Sequence, residues 1–238
     1  MNIGILVSNG DLSHFRVETL KPILEDDSFN IKLAIVDDRE RKSFKQKIIK
    51  NFKRGRGGYM LVMAFQKLLS RRTTDETTMG IENYCESNGI DLIKRQNIYE
   101  KESIDIIKGY KLDVLLLVGG YGIIKEPLLT LTPNGILSYH HGDMSKYRGM
   151  PPVFWELYNG EKEVGITLQK LSVGLDSGLP IEVRSVSVDS GDTLHSLEKK
   201  VYKESEDMMY KALYKISDGT YIPKTLERLG TVYTLPNL

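Results

Sequence analysis

The sequence predicts an open, doubly wound α/β domain with a mostly parallel sheet. The first observation is a β-α-β pattern at the start of the chain, and the second is a series of short apolar runs that alternate with segments of helical periodicity. Continuously apolar runs are typical of a parallel sheet that helices cover on both faces. With 238 residues, 40% of them hydrophobic, the chain fits one such core.

The strand predictions depend on apolar, β-rich runs that end in turn residues. They cover residues 2–7, 31–36, 91–93, 114–118, 136–140, 164–171 and 181–188. The helix predictions depend on apolar residues at helical spacing, such as Val17, Leu20 and Ile23. They cover the segment around those three residues, then 76–88, 101–109, 123–131, a short helix opened by Pro151-Pro152, and one long helix from Thr193 to Ile216. We predict one domain at residues 1–217 and an extension at residues 218–238.

The composition excludes collagen-like, disordered and coiled-coil classes of protein. The single cysteine, Cys85, excludes a disulfide framework within the chain and favours a reducing compartment. No apolar run approaches the ~20 residues that span a bilayer, and the first residues lack the pattern of a secretory leader. We therefore expect a cytoplasmic protein.

The charge is distributed unevenly along the chain. The net charge is +1, but residues 39–72 contain 12 Lys and Arg residues and one acid, while the rest of the chain carries a net charge of −10. Such a segment suits either an anionic partner or a solvated helix face. We predict a basic helical insertion after the second strand, which packs on the domain, covers the substrate entrance, forms a homodimer contact or rests on an anionic membrane surface.

Candidate functional residues follow the strands at the edge where open α/β sheets bind ligands. The most apolar strand ends in Gly119-Gly120-Tyr121-Gly122, which indicates either a pocket wall or a tight turn. Ser138 and His140 lie on one face of a predicted strand, because successive side chains alternate. Asp176 lies in a loop flanked by glycines, where an aspartate is either a turn cap or a catalytic acid.

Three other interpretations of these residues remain open. Ser8-Asn9-Gly10 forms either a turn or a phosphate cradle before a helix. A metal site would combine His140, His141 and Asp143, although the two adjacent strand histidines face opposite sides. A hydrolytic triad would combine Ser138, His140 and Asp176, although the Gly-x-Ser-x-Gly elbow is absent.

Several motifs in the second half of the chain occur in a characteristic order. They are Ser138-Tyr139-His140, Tyr147-Arg148-Gly149, Asn159-Gly160-Glu161, Gly165-Ile166-Thr167 and Gly174-Leu175-Asp176-Ser177-Gly178. This order resembles the catalytic core of the folate-dependent formyltransferases, a family that includes glycinamide ribonucleotide, methionyl-tRNA and sugar-amine formyltransferases. The resemblance is strongest over about residues 112–180, and it implies a formyltransferase-like, Rossmann-like fold.

The resemblance also implies an N-formyltransferase that uses 10-formyltetrahydrofolate as its co-substrate and no metal ion. By this resemblance, His140 donates a hydrogen bond to the oxyanion, and Asp176 keeps that histidine charged and relays the proton. Ser138 stands where the family has an asparagine and is expected to be an altered oxyanion partner. The pterin is expected to contact seven residues: Gly119, Gly120, Tyr121, Gly122, Val173, Gly174 and Leu175.

The expected acceptor is a small-molecule amine, and a nucleotide-linked amino sugar is the favoured class because its phosphates suit the basic segment. A nucleic acid is not expected, because methionyl-tRNA formyltransferases carry a further carboxyl-terminal domain and some twenty residues follow the last predicted helix. Alternatives are a methionyl-tRNA formyltransferase-like enzyme without that domain, a non-catalytic folate-binding homologue and a formyl-folate hydrolase. The non-catalytic homologue follows from the loss of an oxyanion donor at Ser138, and in the hydrolase water takes the place of the amine.

Overall fold

The computed structural model describes residues 1–8, 10–39, 44–58, 78–119, 121–223 and 225–236. In this part of the chain the strands are β1 (Asn2–Ser8), β2 (Asp11–Leu12), β3 (Asn30–Asp37), β4 (Met79–Gly80), β5 (Asp91–Arg95), β6 (Val114–Leu117), β7 (Ile136–His140), β8 (Tyr147–Gly149), β9 (Glu163–Lys170), β10 (Leu179–Ser187) and β11 (Thr231–Tyr233). The helices are α1 (His14–Leu24), α2 (Phe44–Phe52), α3 (Ile81–Ser87), α4 (Lys101–Gly109), α5 (Phe154–Tyr158), α6 (Leu194–Ser205) and α7 (Met208–Ser217).

The central sheet has seven strands in the order β10-β9-β7-β6-β1-β3-β5. The five strands from β7 to β5 run parallel, whereas β9 pairs antiparallel with β7 and β10 pairs antiparallel with β9. One face packs against α1, α3, α6 and α7, and the other against α4 and the turn at Leu128–Thr130. This confirms the predicted open, mostly parallel sheet with helices on both faces.

Two short sheets lie outside the central one. β2 pairs antiparallel with β4, and β8 pairs in parallel with β11. The second pairing joins the segment after the central strand β7 to residues near the end of the printed sequence. It has no counterpart in the sequence predictions, which left residues 218–238 as an extension without elements.

Two helix predictions are wrong in extent. The helix predicted over 123–131 is a single 3₁₀ turn, Leu128–Thr130, because Pro127 lacks an amide hydrogen and its ring obstructs the preceding turn. The helix predicted around 76–88 begins at Ile81, after the bridge that Met79 and Gly80 form with β2, while residues 76–77 lie outside the described part.

The long helix predicted from Thr193 to Ile216 is broken between Ser205 and Met208. In a continuous helix the Met209 amide would donate to the Ser205 carbonyl. Here the Tyr139 hydroxyl takes both places, since it accepts from the Met209 amide at 3.0 Å and donates to the Ser205 carbonyl at 2.7 Å. A side chain inserted into the hydrogen-bond ladder is a known cause of helix breaks.

Most of the predicted basic insertion, residues 39–72, lies outside the described residues, and within it the structure shows α2 and the turn that follows. Cys85 is buried on α3, and burial raises the pKa of its thiol to about 11, in agreement with a packing role. None of the helices in the described ranges is long and apolar enough to cross a bilayer.

Candidate active site

The candidate site lies where the parallel strands of the central sheet end. His140 is the last residue of β7, and β6 and β1 end beside it at Leu117 and Ser8. The carboxyl ends of parallel strands are the usual place for ligands in open α/β sheets. The loop that carries Asp176 connects β9 to β10 and returns to this edge.

The structure brings His140 and Asp176 together, although 36 positions separate them in the chain. The His140 Nδ1 atom lies 3.5 Å from Asp176 Oδ2, and their side chains are 8% and 19% exposed. His140 is thus buried, and Asp176 keeps part of its side chain exposed. Asp176 has a positive φ of 43°, a backbone conformation that aspartate tolerates better than most residues.

The strand β8 fixes both members of this pair through its backbone. The Gly149 amide donates to Asp176 Oδ2 at 2.8 Å. The Tyr147 carbonyl accepts a hydrogen bond from His140 Nε2, also at 2.8 Å. A carbonyl only accepts, so Nε2 carries a proton, and Nδ1 is the ring atom whose protonation changes when the imidazole becomes charged.

A buried carboxyl group lies behind the histidine. Glu156 on α5 is 3% exposed, and its Oε1 atom has no hydrogen-bond partner in the described residues. Gly142 separates it from His140: a Cβ atom at Gly142 would lie 2.7 Å from His140 Nε2 and 3.2 Å from Glu156 Oε1. Burial is the main cause that raises the pKa of Glu156 to about 7, and the charges of Glu161 and Asp143 add to it.

Glu156 also lines a cavity of about 330 Å³ on the far side of Gly142. Other acidic residues in its wall are Asp143, Glu161 and Glu163, and Arg184 and Lys146 supply positive charge. No sequence pattern had marked Glu156, because its chemistry depends on burial that only the fold creates.

Ser138 lines a larger cavity, of about 510 Å³, at the same edge of the sheet. The Ser138 hydroxyl donates to the carbonyl of Tyr139 at 3.3 Å, and no hydrogen bond joins it to His140. A hydrolytic triad requires a base on the serine hydroxyl, and His140 directs its two nitrogens to Tyr147 and Asp176 instead.

An aromatic cluster forms part of the wall of this cavity. Its members are Phe15, Tyr139, His141 and Tyr202, whose neighbouring ring centroids lie 4.9–5.5 Å apart. Burial among these rings, with a smaller effect from His140, lowers the pKa of His141 to about 3, so His141 is neutral. His141 stacks on Tyr139, so it lies on the face of β7 opposite to His140, as the alternation of strand side chains predicts.

Arg16 on α1 brings a positive charge to the same cavity, and Glu198 on α6 brings a carboxylate. Its guanidinium is partly buried, burial lowers its pKa, and no carboxylate pairs with it among the described residues. Ser13 caps the amino end of α1 beside it without a side-chain capping bond. The helix dipole adds to the positive potential there.

The residues expected to contact a pterin occupy different environments. Gly119 lines the larger cavity, Gly120 lies outside the described residues, and Gly122 has a φ of 76°. The Tyr121 ring is buried in the core and donates to the Ile35 carbonyl, so it offers a ligand only its backbone.

On the Asp176 loop, Val173 is 78% exposed and Leu175 is 38% exposed, with Gly174 between them at a φ of 120°. Two apolar side chains are thus uncovered beside the candidate catalytic carboxylate.

Comparisons with known proteins give a matching family model and several curated relatives. The family model described as formyl transferase matches residues 81–213. Methionyl-tRNA formyltransferase of Thermotoga neapolitana is 33% identical over 136 residues, which are 57% of this chain and 43% of that protein. The Thermotoga maritima enzyme of the same name is 31% identical over 154 residues, or 64% of this chain and 49% of that protein. The chain thus spans less than half the length of these curated relatives.

Solved structures resemble the whole fold at low identity. Glycinamide ribonucleotide transformylase 1 from Symbiobacterium toebii aligns with a TM-score of 0.65 and 18% identity, covering 98% of this chain and 94% of that chain. An N-formyltransferase from Helicobacter canadensis, solved with folinic acid and dTDP-3-aminofucose, aligns with a TM-score of 0.65 and 16% identity, covering 100% of this chain and 72% of that chain. The family match spans more than half of the sequence and includes His140, Asp176 and β8, and the chain therefore belongs to the formyl transferase family.

Proposed function

We propose that this chain transfers a formyl group from 10-formyltetrahydrofolate to a primary amine. The observation that carries the proposal is the His140–Asp176 pair, 3.5 Å apart at the carboxyl edge of the sheet, with His140 two residues after Ser138 on β7. The named folate-using and formyl-transferring relatives support the same reaction.

The reaction sets two demands on the site. The amine nitrogen bonds to the formyl carbon, the bond from that carbon to the folate nitrogen breaks, and the electron pair of that bond returns to the folate nitrogen. An acceptor that arrives as an ammonium ion loses two protons, of which the folate nitrogen takes one and solvent the other. The site must therefore stabilise an oxyanion and accept a proton.

His140 and Asp176 suit these two demands. Since the Tyr147 carbonyl holds the Nε2 proton, the Nδ1 proton of the charged ring is the donor that remains for the oxyanion. The 3.5 Å separation from Asp176 is an ion-pair contact that is longer than a strong hydrogen bond, so an oxygen that enters beside the carboxylate can share the Nδ1 proton. The Asp176 carboxylate then stabilises the imidazolium and receives the ammonium proton.

The loop beside Asp176 suits a flat, apolar group. Val173 and Leu175 expose apolar surface, and Gly174 lets the backbone approach a planar ring. The turn that begins at Gly119 lies at the same edge of the sheet. We assign the pterin of the co-substrate to this wall.

The larger cavity suits an acceptor that combines rings with an anion. Its volume of about 510 Å³ is within the usual range for small-molecule sites. Arg16 and the amino end of α1 favour a phosphate or carboxylate, and the aromatic cluster supplies ring faces. A nucleotide-linked amino sugar has all of these groups, and we propose it as the acceptor class.

The test is a formyl-transfer assay with 10-formyltetrahydrofolate and a panel of three acceptors: a dTDP-linked amino sugar, glycinamide ribonucleotide and methionyl-tRNA. Tetrahydrofolate release and the formylated acceptor are both measured. We expect a formylated amino sugar with the wild-type chain, loss of turnover in His140→Ala, and normal turnover in the exposed control His195→Ala.

Two results would contradict the proposal. Folate release that needs no amine and is lost in His140→Ala would show a hydrolase. Binding of a formyl-folate analogue without product from any acceptor would show a binding protein.

A further inference from the structure

The candidate catalytic pair does not depend on the central sheet alone. Its two partners, the Tyr147 carbonyl and the Gly149 amide, both belong to β8. β8 has three residues, and its only strand partner in the described part of the chain is β11. The orientation of His140 and Asp176 therefore depends on how firmly β11 holds β8.

β11 belongs to residues 225–236, which we call the tail segment. Thr231, Val232 and Tyr233 lie opposite Tyr147, Arg148 and Gly149 in a parallel register. Besides the bonds within the paired strands, three backbone hydrogen bonds join the two regions: the Gly230 amide donates to the Met144 carbonyl at 2.9 Å, the Thr231 amide to the Lys146 carbonyl at 3.1 Å, and the Met150 amide to the Tyr233 carbonyl at 3.2 Å. The whole stretch from 144 to 150 is thus bonded to the tail segment.

The ring of Tyr233 stabilises the pairing of β8 with β11. The ring stacks on Tyr147 with centroids 5.2 Å apart and contacts Trp155 at 4.9 Å. The indole of Trp155 also donates to the Thr234 carbonyl at 3.1 Å. A Cβ atom at Gly149 would lie 2.1 Å from the Tyr233 carbonyl oxygen, so the close pairing requires glycine there.

Arg148 connects the tail segment to the loop that carries Asp176. Its Nε atom donates to the Gly230 carbonyl at 2.8 Å, and its Nη1 atom donates to the Leu175 carbonyl at 3.2 Å. The tail segment thus acts on Asp176 from two directions, through the Gly149 amide and through the backbone next to the carboxylate.

We propose that Tyr233 is a positioning residue of the active site, which holds β8 so that the backbone of β8 orients His140 and Asp176. The expected loss of turnover rests on the proposed formyl-transfer function. The expected change in the orientation of His140 and Asp176 does not. A misplacement of reacting groups by about 1 Å typically costs ~10²-fold in rate. The central sheet does not include β11, so loss of Tyr233 should affect turnover much more than folding.

The experiment compares Tyr233→Ala with Tyr233→Phe, which keeps the ring, and with Leu229→Ala, an exposed apolar residue of the same segment. We expect Tyr233→Ala to lower kcat about 10²-fold with a smaller change in the KM for the acceptor. Hydrogen exchange at the amides of Gly149 and Met150 should speed up, and the downfield proton resonance of His140 Nε2 should broaden. Tyr233→Phe and Leu229→Ala should match the wild type.

Unchanged exchange at Gly149 in Tyr233→Ala would overturn the proposal, as would faster exchange with unchanged kcat. An equal loss of kcat in Tyr233→Ala and Leu229→Ala would also overturn it, because any substitution in the tail segment would then have the same effect. If the wild-type chain formylates no acceptor, the proposed function fails on its own. The exchange rates and the His140 resonance still decide whether Tyr233 orients the pair.

Discussion

Single side chains at the sheet edge carry the chemistry of this molecule, and Asp176 is the most direct to test. Asp176→Asn keeps the shape, tolerates the positive φ and still accepts from the Gly149 amide, but it removes the charge beside His140. We expect turnover to fall ~10²- to 10⁴-fold, with the melting temperature little changed. Steady-state kinetics and thermal unfolding measure the two effects, and near-normal kcat would remove Asp176 from the mechanism.

For Ser138 the question is whether its side chain is long enough to reach the oxyanion, because a serine hydroxyl reaches less far than an asparagine amide. Removing one preorganised oxyanion donor typically costs ~10²- to 10³-fold in kcat. We expect Ser138→Asn to recover part of that cost and raise formyl transfer, since the residue lies in the cavity wall. The matched control is Ser138→Ala, which should be slower than the wild type. A slower Ser138→Asn variant would show that the cavity has been reshaped around serine.

Glu156 predicts how stability depends on pH. Its pKa is about 7 in the fold against an ordinary value of 4.5, so the folded state binds more protons than the unfolded state between these values. Stability therefore falls as pH rises from about 4.5 to 7 and levels off above that. The wild-type free energy of unfolding should thus be about 3 kcal/mol lower at pH 8 than at pH 4 through this group, and Glu156→Gln should remove that difference.

Urea unfolding at several pH values measures this effect. Glu163→Gln, at an exposed acid of the same cavity, should leave the wild-type pH dependence in place. An unchanged pH dependence in Glu156→Gln would show that the buried carboxyl does not titrate in this range.

At the level of elements, the break between α6 and α7 shows why the sequence predicted a helix longer than the one observed. The apolar spacing through this region is continuous, and the interruption comes from the hydroxyl of Tyr139 on a strand about 70 positions earlier. A distant side chain leaves no local signal. Pro127, in contrast, is a local signal against the helix over 123–131, and the sequence prediction did not use it.

Tyr139→Phe tests the role of that hydroxyl. We expect a loss of about 1 to 3 kcal/mol in the free energy of unfolding, because the Met209 amide and the Ser205 carbonyl lose their shared partner. Tyr158→Phe, at an exposed ring, should cost little. Equal stability of the two variants in urea unfolding would show that the helices close the gap by bonding directly to each other.

For the molecule as a whole, the sequence predicted the sheet well and the site in part. The apolar runs predicted the parallel strands, because a strand that is buried on both faces has a continuous run of apolar residues. The family motifs gave His140 and Asp176, which the structure places in contact. Glu156, Arg16 and Tyr233 were missed, since their importance comes from burial and from pairing between distant segments.

The uneven charge also belongs to this scale. A basic segment on a chain whose remainder is acidic should attract an anionic acceptor from a distance. We expect the double variant Lys53→Glu/Arg54→Glu to raise the KM for a nucleotide-linked acceptor at low salt, with the difference shrinking at about 0.5 M salt. The same reversal at exposed Lys108 and Lys111 is the control. Identical KM values at low salt would exclude an electrostatic role.

The strand β7 has a consequence for how this protein can change. Because successive side chains of a strand alternate, Ser138 and His140 share one face of β7, while Tyr139 between them completes the junction of two helices on the other. A shift of the β7 register by one residue would exchange the two faces. It would remove Ser138 and His140 from the active site and Tyr139 from the helix junction at the same time. An insertion or deletion in this strand would therefore damage both the active site and the helix packing. New acceptor preferences have to arise in the surrounding loops and helices.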